Sequence, residues 1–500
     1  MADNNTSLYG HNDTIVGLTK SSNHRGTLDI LYSTTITILL CVWVSAYPNI
    51  PGPKDTKLQR LIDKVNLAMI GALGPDLLFA LAVGQWSSAT RSVKMFKEIP
   101  HCQWTRTHGF YADMGGFRVV SPEFREHGVP VNAQQLFYLV KNGHVDMPTL
   151  TAAEIKQMST ADFFSKLIVL WQVFWFIVTQ ILRFANHGPI TTLELTAFTY
   201  AVMMLATSVF WFQKPQMALS TKIYTRDERD FDFIRHHARQ TTHPDMPEQW
   251  YGTPMDFVWK RGSFQGDKHW EYLSHLSHQA YMPLFTRLPG RPWERIPSDI
   301  WYPPEAIAVW PGLAVQLPFC CCFLLAWNFH FATDAERIIW RISATYHAGY
   351  SLFITGAYLF WLRDVLLGRR RELPPTQSRR PPPLARQLRS TATTDEPAEV
   401  ELQPTSDSSL PQKAPRFESP KKGSRWSKAA MQAWLDSWRN LSPEQDPDED
   451  VSLRWMGVLF LFTVAYIFSH LFIYVEDLIS LRSQPADTYL ADNQFFPFIH

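Results

Sequence analysis

Seven stretches of this chain run almost free of charge for about 18 to 25 residues, the length of helix that crosses the apolar core of a bilayer. They lie roughly at 28–47, 67–86, 163–183, 192–212, 307–331, 338–362 and 455–475. So many segments of this length predict an all-α fold, an integral membrane helical bundle of six to seven transmembrane helices, with the lipid bilayer as its first partner. The mean hydropathy stays near zero because long polar loops dilute the blocks. Many of the 19 Trp and 33 Phe fall at block edges, where amphipathic rings favour the water boundary.

The connections indicate which blocks pair. Only "FANHGPIT" separates the third from the fourth and only "ATDAER" the fifth from the sixth, which predicts two membrane hairpins, 163–212 and 306–362. The segments 87–162, 213–305 and 363–454 are rich in Lys and Arg, the mark of loops that stay cytoplasmic. With all three inside, the last helix and its tail, 455–500, leave the C-terminus outside or lumenal, in a plasma membrane or endomembrane.

The start of the chain fits this scheme less simply. An N-terminal segment, 1–64, precedes a membrane helix at 65–86 with a candidate break at Gly74-Pro75, yet "PKDTKLQRLIDK" is basic and would lie outside if that helix spans fully. Three resolutions stand: a signal peptide cleaved near Val44-Ser45-Ala46, a retained first helix with its N-terminus inside, or a second block that only dips into the membrane. Sequons at Asn4, Asn5 and Asn12 favour an outside N-terminus.

Within 87–162, "NAQQLFYLVKNG" predicts a short helix stopped by Gly143, and Thr151 with Glu154 forms a capping box that opens another, so this loop is a helical subdomain. Residues 213–305 show no clean period and predict an irregular cytoplasmic loop. From about 369 to 450 the chain is low in hydrophobics and rich in Pro, Ser and charge, the composition of a disordered linker. Inside it, 421–441 sets Ala430, Trp434, Trp438 and Leu441 on one face of a basic amphipathic helix, suited to an anionic membrane surface, to a calmodulin-like groove or to a plain linker.

Asp76 is the sharpest candidate site. A carboxylate inside "MIGALGPDLLFALAVG" costs several kcal/mol unless it faces water or a partner, and Gly and Pro beside it suggest the broken helix that transporters use. The structural alternative places Pro75 first in a half-helix and Asp76 on its positive end. Gln172 and Gln180, Arg341 and His347, and His470 with Asp477 are further polar residues inside apolar blocks; they would line a solute or proton path, or serve as interhelical hydrogen bonds. Glu194 is assigned to the helix start, as the capping-box partner of Thr191 with Ile190 and Leu195 as staple.

The loop motif "WTRTHGFYADMGGF" holds His108 and Asp113 as a candidate acid and base, with Gly115 and Gly116 as a turn that approaches a ligand closely. No P-loop, Rossmann or nucleophile-elbow pattern surrounds it, and the alternative is an aromatic segment against helix ends followed by a turn and a short strand "FRVV". The histidines at 236, 237, 243, 275 and 278 lack zinc spacing. The five cysteines give no disulfide or zinc framework, since Cys41 and Cys320 to Cys322 fall in apolar blocks and Cys102 stands alone. No cofactor motif is present, and a net charge of +1 leaves no nucleic-acid footprint.

Several stretches, in order, are shared with a family: "RGTLDILYSTTITILLCVW" with "NIPGP", "GPDLLFALAVGQW", "THGFYADMGGF", "KNGHVDMPTLTAAEI", "LIVLWQVFWFIVTQILR", "GPITTLELTAF" and "YVEDLISLRSQPADTY". The chain resembles uncharacterised polytopic membrane proteins of filamentous fungi over about half its length. The resemblance implies a shared fold with a variable cytoplasmic loop and linker, and it implies no activity. The closing "LADNQFFPFIH" departs from it in lacking a tryptophan before the end. Three function classes follow: a transport or channel-like protein built on Asp76, a membrane scaffold or receptor-like protein whose cytoplasmic partner binds 369–450, and, more remotely, a membrane-surface enzyme using His108 and Asp113.

Overall fold

The protein is described here by a computed structural model, which covers residues 14–20, 25–159, 163–186, 188–216, 219–258, 265–279, 290–366, 438–442 and 449–489, with single positions at 431, 435 and 446. The sequons at Asn4, Asn5 and Asn12, most of the 363–454 linker with Ala430 and Trp434, the side chain of His278 and the closing "FFPFIH" lie outside the described residues.

In chain order, a short strand β1 (Ile15–Val16) leads to α1 (Thr27–Ser45), α2 (Lys57–Leu73) and α3 (Pro75–Phe96). A subdomain follows, with α4 (Arg106–Asp113), β2 (Phe117–Val120), β3 (Val129–Val131), α5 (Ala133–Lys141) and α6 (Ala152–Gln157). Next come α7 (Phe163–Ala185), α8 (Thr192–Phe210), β4 (Thr221–Tyr224), α9 (Phe231–Thr241) and α10 (Gln265–Gln279). The chain closes with α11 (Ala306–Cys321), which runs on as a 3-10 turn over Cys322–Asn328, then α12 (Asp334–Leu366), α13 (Leu453–Ile479) and β5 (Gln484–Pro485).

Among the described residues, five helical stretches are long and apolar enough to cross a membrane: Thr27–Ser45, Leu167–Ala185, Thr192–Phe210, Ala306–Asn328 and Leu453–Arg482. The 338–362 block lies in α12, whose interspersed Tyr, Ser, Thr and His make it less apolar than these. The 65–86 block is part of a longer, sharply bent pair: α2 and α3 meet the same criterion together but turn by 116° at Gly74. Helix α2 begins at Lys57, ahead of the apolar run, because Thr56 and Gln59 form a capping box and the charged Lys57 and Arg60 remain exposed. Helix α3 outlasts its apolar run because Gln85, Ser87, Ser88 and Ser92 are buried against other polar groups.

A small three-stranded sheet corrects the all-α expectation, although the fold is mostly helical. Strand β2 pairs antiparallel with β3 and parallel with β4, Phe117 opposite Thr221 and Val119 opposite Ile223. Residues 87–158 and 219–258 therefore share one core, in which Phe96, Phe117, Leu136, Ile223, Phe231 and Ile234 are buried together. The start of 213–305 is thus an integral part of the subdomain rather than an irregular loop.

Residues 290–305 strap this subdomain to the helices. Arg118, buried on β2, donates to the carbonyls of His127 (2.6 Å), Gly128 (2.8 Å) and Glu294 (2.8 Å). Arg295 forms a buried ion pair with Asp63 of α2 and lies 3.9 Å from Asp55. The link between α1 and α2 sits on the same face, since the Ile50 N–H donates to the Met114 carbonyl at 3.1 Å. At the opposite end, β1 pairs antiparallel with β5, and the Thr27 hydroxyl meets the Tyr489 hydroxyl at 3.1 Å. Helix α1 packs on α8 and α2 as a member of this assembly.

Candidate functional site

The bend between α2 and α3 follows from its sequence. Pro75 has no N–H to continue the α2 ladder and its fixed φ suits the first position of a new helix. Gly74 is the extended residue between them, and its N–H still closes on the Ile70 carbonyl at 2.9 Å. Carbonyls at the end of a broken helix need outside donors when they are buried. Tyr474 of α13 donates to the Ala72 carbonyl at 2.7 Å, and Tyr200 of α8 donates to the same oxygen and touches the Tyr474 hydroxyl.

Asp76 opens α3 and is buried at the centre of the helices, where the positive end of α3 favours its charge. The Tyr466 hydroxyl of α13 lies 3.4 Å from each of its carboxylate oxygens and 3.3 Å from His347 Nε2 on α12. One hydroxyl has a single proton, so it goes to Asp76 when His347 Nε2 is protonated and to His347 when Nε2 is not. These separations exceed the ~2.5–3.0 Å of a strong O–H···O bond, which leaves the three groups in register but not locked. His470 continues the row, its ring 5.1 Å from that of His347 and 4.8 Å from that of Tyr474. Phe323 closes the row edge-on against both histidines. Both ring nitrogens of His470 are buried without a hydrogen-bond partner among the described residues, while His347 also reaches the Cys320 backbone.

The polar residues singled out in the apolar blocks thus fall into separate places. Asp76, His347 and His470 come together. Asp477 lies two turns farther along α13, buried against Thr192 and Thr196 of α8. Gln180 is buried beside Glu194, which also pairs with Arg25 and caps its own helix at Thr191. Two members do not join an interior path. Gln172 is exposed on α7, and Arg341 turns outward to donate to the Trp327 carbonyl at 2.9 and 3.1 Å while covering the Trp327 ring. Tyr466, Tyr474 and Tyr200 are the residues that sequence reasoning passed over. The signal was present in "YIFSHLFIYVED", where Tyr466, His470, Tyr474 and Asp477 recur at steps of four, four and three and so share one helix face.

In the loop motif, His108 and Asp113 both lie on α4 but serve different neighbours. His108 accepts the Thr105 backbone N–H at 3.1 Å through Nδ1 and donates from Nε2 to the Leu150 carbonyl at 2.9 Å, so both ring nitrogens are occupied in holding α4 to the segment before α6. Burial lowers its pKa. Asp113 accepts the Ala133 N–H at 3.0 Å and thereby fixes the start of α5. Burial pushes its carboxyl up to about 6, against the Ala133 N–H, Ser88 and the Arg91 and Lys214 charges, which pull it down. The glycines make the reversal into β2: Gly115 has φ of +81°, and a Cβ on Gly116 would stand 2.4 Å from the Tyr111 ring. His108 and Asp113 thus hold different neighbours of α4 and are not hydrogen-bonded to each other.

Residues 6–234 match the model of a family of unknown function, DUF8562. The matched region holds the bent α2–α3 pair with Asp76 and the loop motif, and it stops before the helices that supply His347, Tyr466, His470 and Asp477. Neither the curated proteins nor the solved structures yield a match.

Proposed function

We propose that this chain is a multi-pass integral membrane protein that conducts protons, with Asp76 as the central group of the path. In this reading α1, α7, α8, α11 with its 3-10 extension, α12 and α13 cross the bilayer, while α2 and α3 enter from the subdomain face and return to it as a re-entrant hairpin. Two features support the arrangement. Large apolar side chains such as Leu39, Trp171, Ile342 and Leu461 are exposed on these helices, as lipid-facing side chains are. The two ends of the described chain pair through β1 and β5, which requires an even number of crossings. Six crossings and a returning hairpin satisfy this, and they put "PKDTKLQRLIDK" on the same face as the other basic segments, outside neither the charge rule nor the fold.

The observation that carries the proton reading is Tyr466 placed between His347 and Asp76 at the tip of the hairpin. Non-helical backbone at membrane depth is tolerated where it is enclosed by protein or lines a path, and intramembrane carboxylates and histidines are the groups that proton relays use. Imidazole can take a proton at one nitrogen and release one at the other, so His347 can pass a proton to Tyr466 while receiving one on Nδ1. The test is flux into liposomes that contain the purified protein and a pH-reporting dye, under an imposed pH gradient with the potential clamped. The gradient should decay faster than in protein-free liposomes, and Asp76→Asn or Tyr466→Phe should slow the protein-dependent decay by about tenfold or more, the effect of ~1.4 kcal/mol on a barrier. Equal decay with and without protein, or an unaltered rate in Asp76→Asn, would remove the reading.

A further inference from the structure

A second buried acid lies away from this row. Asp477, 1% exposed, sits near the end of α13, and Thr192 and Thr196 of α8 face its carboxylate. The Thr192 and Thr196 hydroxyls are within hydrogen-bonding reach of the carboxylate but form no well-aligned bond with it, and no cationic side chain faces it among the described residues. The Thr192 hydroxyl and the Ser480 hydroxyl stand 3.0 Å apart beside it. The Ser480 hydroxyl also reaches the Asp477 carbonyl at 3.3 Å. A buried carboxylate with hydroxyl neighbours but no cation keeps an uncompensated charge, which is costly in such a place.

We infer that Asp477, Thr192, Thr196 and Ser480 form a dehydrated binding site for a small monovalent cation of sodium size. The donor set is oxygen throughout, one carboxylate and three hydroxyls, which selects a hard ion over a transition metal. One negative charge balances one positive charge. A calcium site draws on six to eight oxygens with several carboxylates, and the next acid, Glu476, lies with Glu336 and Arg482 instead. The hydroxyl oxygens of Thr192 and Ser480 are close enough to contact one small ion at ~2.4 Å each, a separation typical of hard cations of this radius. The ion would tie α8 to α13, joining Thr192 on one helix to Asp477 on the other. The site does not include Asp76, which lies on the far side of His470, so it stands whether or not Asp76 carries protons.

The test uses the full-length protein in nanodiscs, melted in sodium, potassium, calcium and choline chloride at equal ionic strength. An ion that binds only the folded state raises the melting temperature in a saturable way. Sodium should do so where choline does not, Asp477→Asn should abolish the effect, and Thr196→Val should raise the half-maximal sodium concentration about tenfold or more, equivalent to ~1.4 kcal/mol of binding. Asp76→Asn should keep the sodium response, so loss of the proton reading and loss of this one are separable. Melting alike in sodium and choline, a response to calcium alone, or a sodium shift that survives in Asp477→Asn would overturn the site. If Asp477→Asn does not fold, an unaltered half-maximal concentration in both Thr196→Val and Thr192→Val overturns it equally.

Discussion

Replacing Asp113 by Asn should change how stability depends on pH, by an amount the structure supplies. The carboxyl is raised from 3.8 to about 6 by its burial between α4, α5 and α3. An acid whose folded-state pKa is raised holds its proton in the native state after the unfolded chain has lost it, so folding stability is fully present below pH ~4 and declines as pH rises toward ~6. The decline, at about 1.4 kcal/mol per pH unit across this interval, is about 3 kcal/mol. In Asp113→Asn the group no longer titrates, and the amide carbonyl can still accept the Ala133 N–H. The assay is thermal or denaturant unfolding followed by tryptophan fluorescence, in the same nanodiscs at pH 4 and pH 8 for both proteins. Groups common to the two cancel in the double difference, which should favour the variant at pH 8 by about 3 kcal/mol relative to pH 4. A double difference near zero would mean that the carboxylate is solvated, and one of opposite sign would mean that Arg91 and Lys214 outweigh burial.

The buried Arg295–Asp63 pair should be worth much more than the exposed Lys54–Glu294 pair: Arg295→Met strands Asp63 and should cost about 3–5 kcal/mol, Lys54→Ala about 1 kcal/mol or less, both read from unfolding midpoints. Gly116→Ala drives a methyl into the Tyr111 ring and should lower stability by about 1–3 kcal/mol, with part of the loss restored by Tyr111→Leu; no loss would mean that the turn into β2 moves freely. Expressed in a glycosylating host, the chain should show a mass increase removed by an endoglycosidase and by Asn→Gln at 4, 5 and 12, as the proposed crossings put the start of the chain opposite the basic segments. An unglycosylated chain would contradict that placement.

Local signals were legible where they act over one helical turn. The capping boxes at Thr151 and Glu154 and at Thr191 and Glu194, and the helix ending at Gly143, stand as their residues predict, because each needs only groups three or four positions apart. The apolar blocks likewise located helices. What sequence could not convey was set by contacts across long separations. Strand β4 joins β2 in parallel from about a hundred residues away, and "TKIY" has no pattern that marks its partner. Arg295 reads as one more charge in an irregular loop until Asp63 is placed beside it. The outward turn of Gln172 and Arg341 was equally hidden, since a lone polar residue in an apolar block does not tell which face of its helix meets the bundle. Asp76 was visible as an anomaly, but its partners come from α12 and α13, nearly three hundred to four hundred residues on, and Tyr466 is the residue that joins it to His347.

Whether α2 and α3 enter and leave the membrane on one face is read by side-specific thiol labelling. Single cysteines at Lys57 and Lys97, both exposed at the two ends of the hairpin, would be placed in a background where Cys102 and Cys321 are serine, in sealed vesicles of known orientation. For a re-entrant hairpin, a membrane-impermeant reagent should reach both positions from the subdomain side and neither from the other. Labelling of the two positions from opposite sides would make the pair a full crossing and would contradict it.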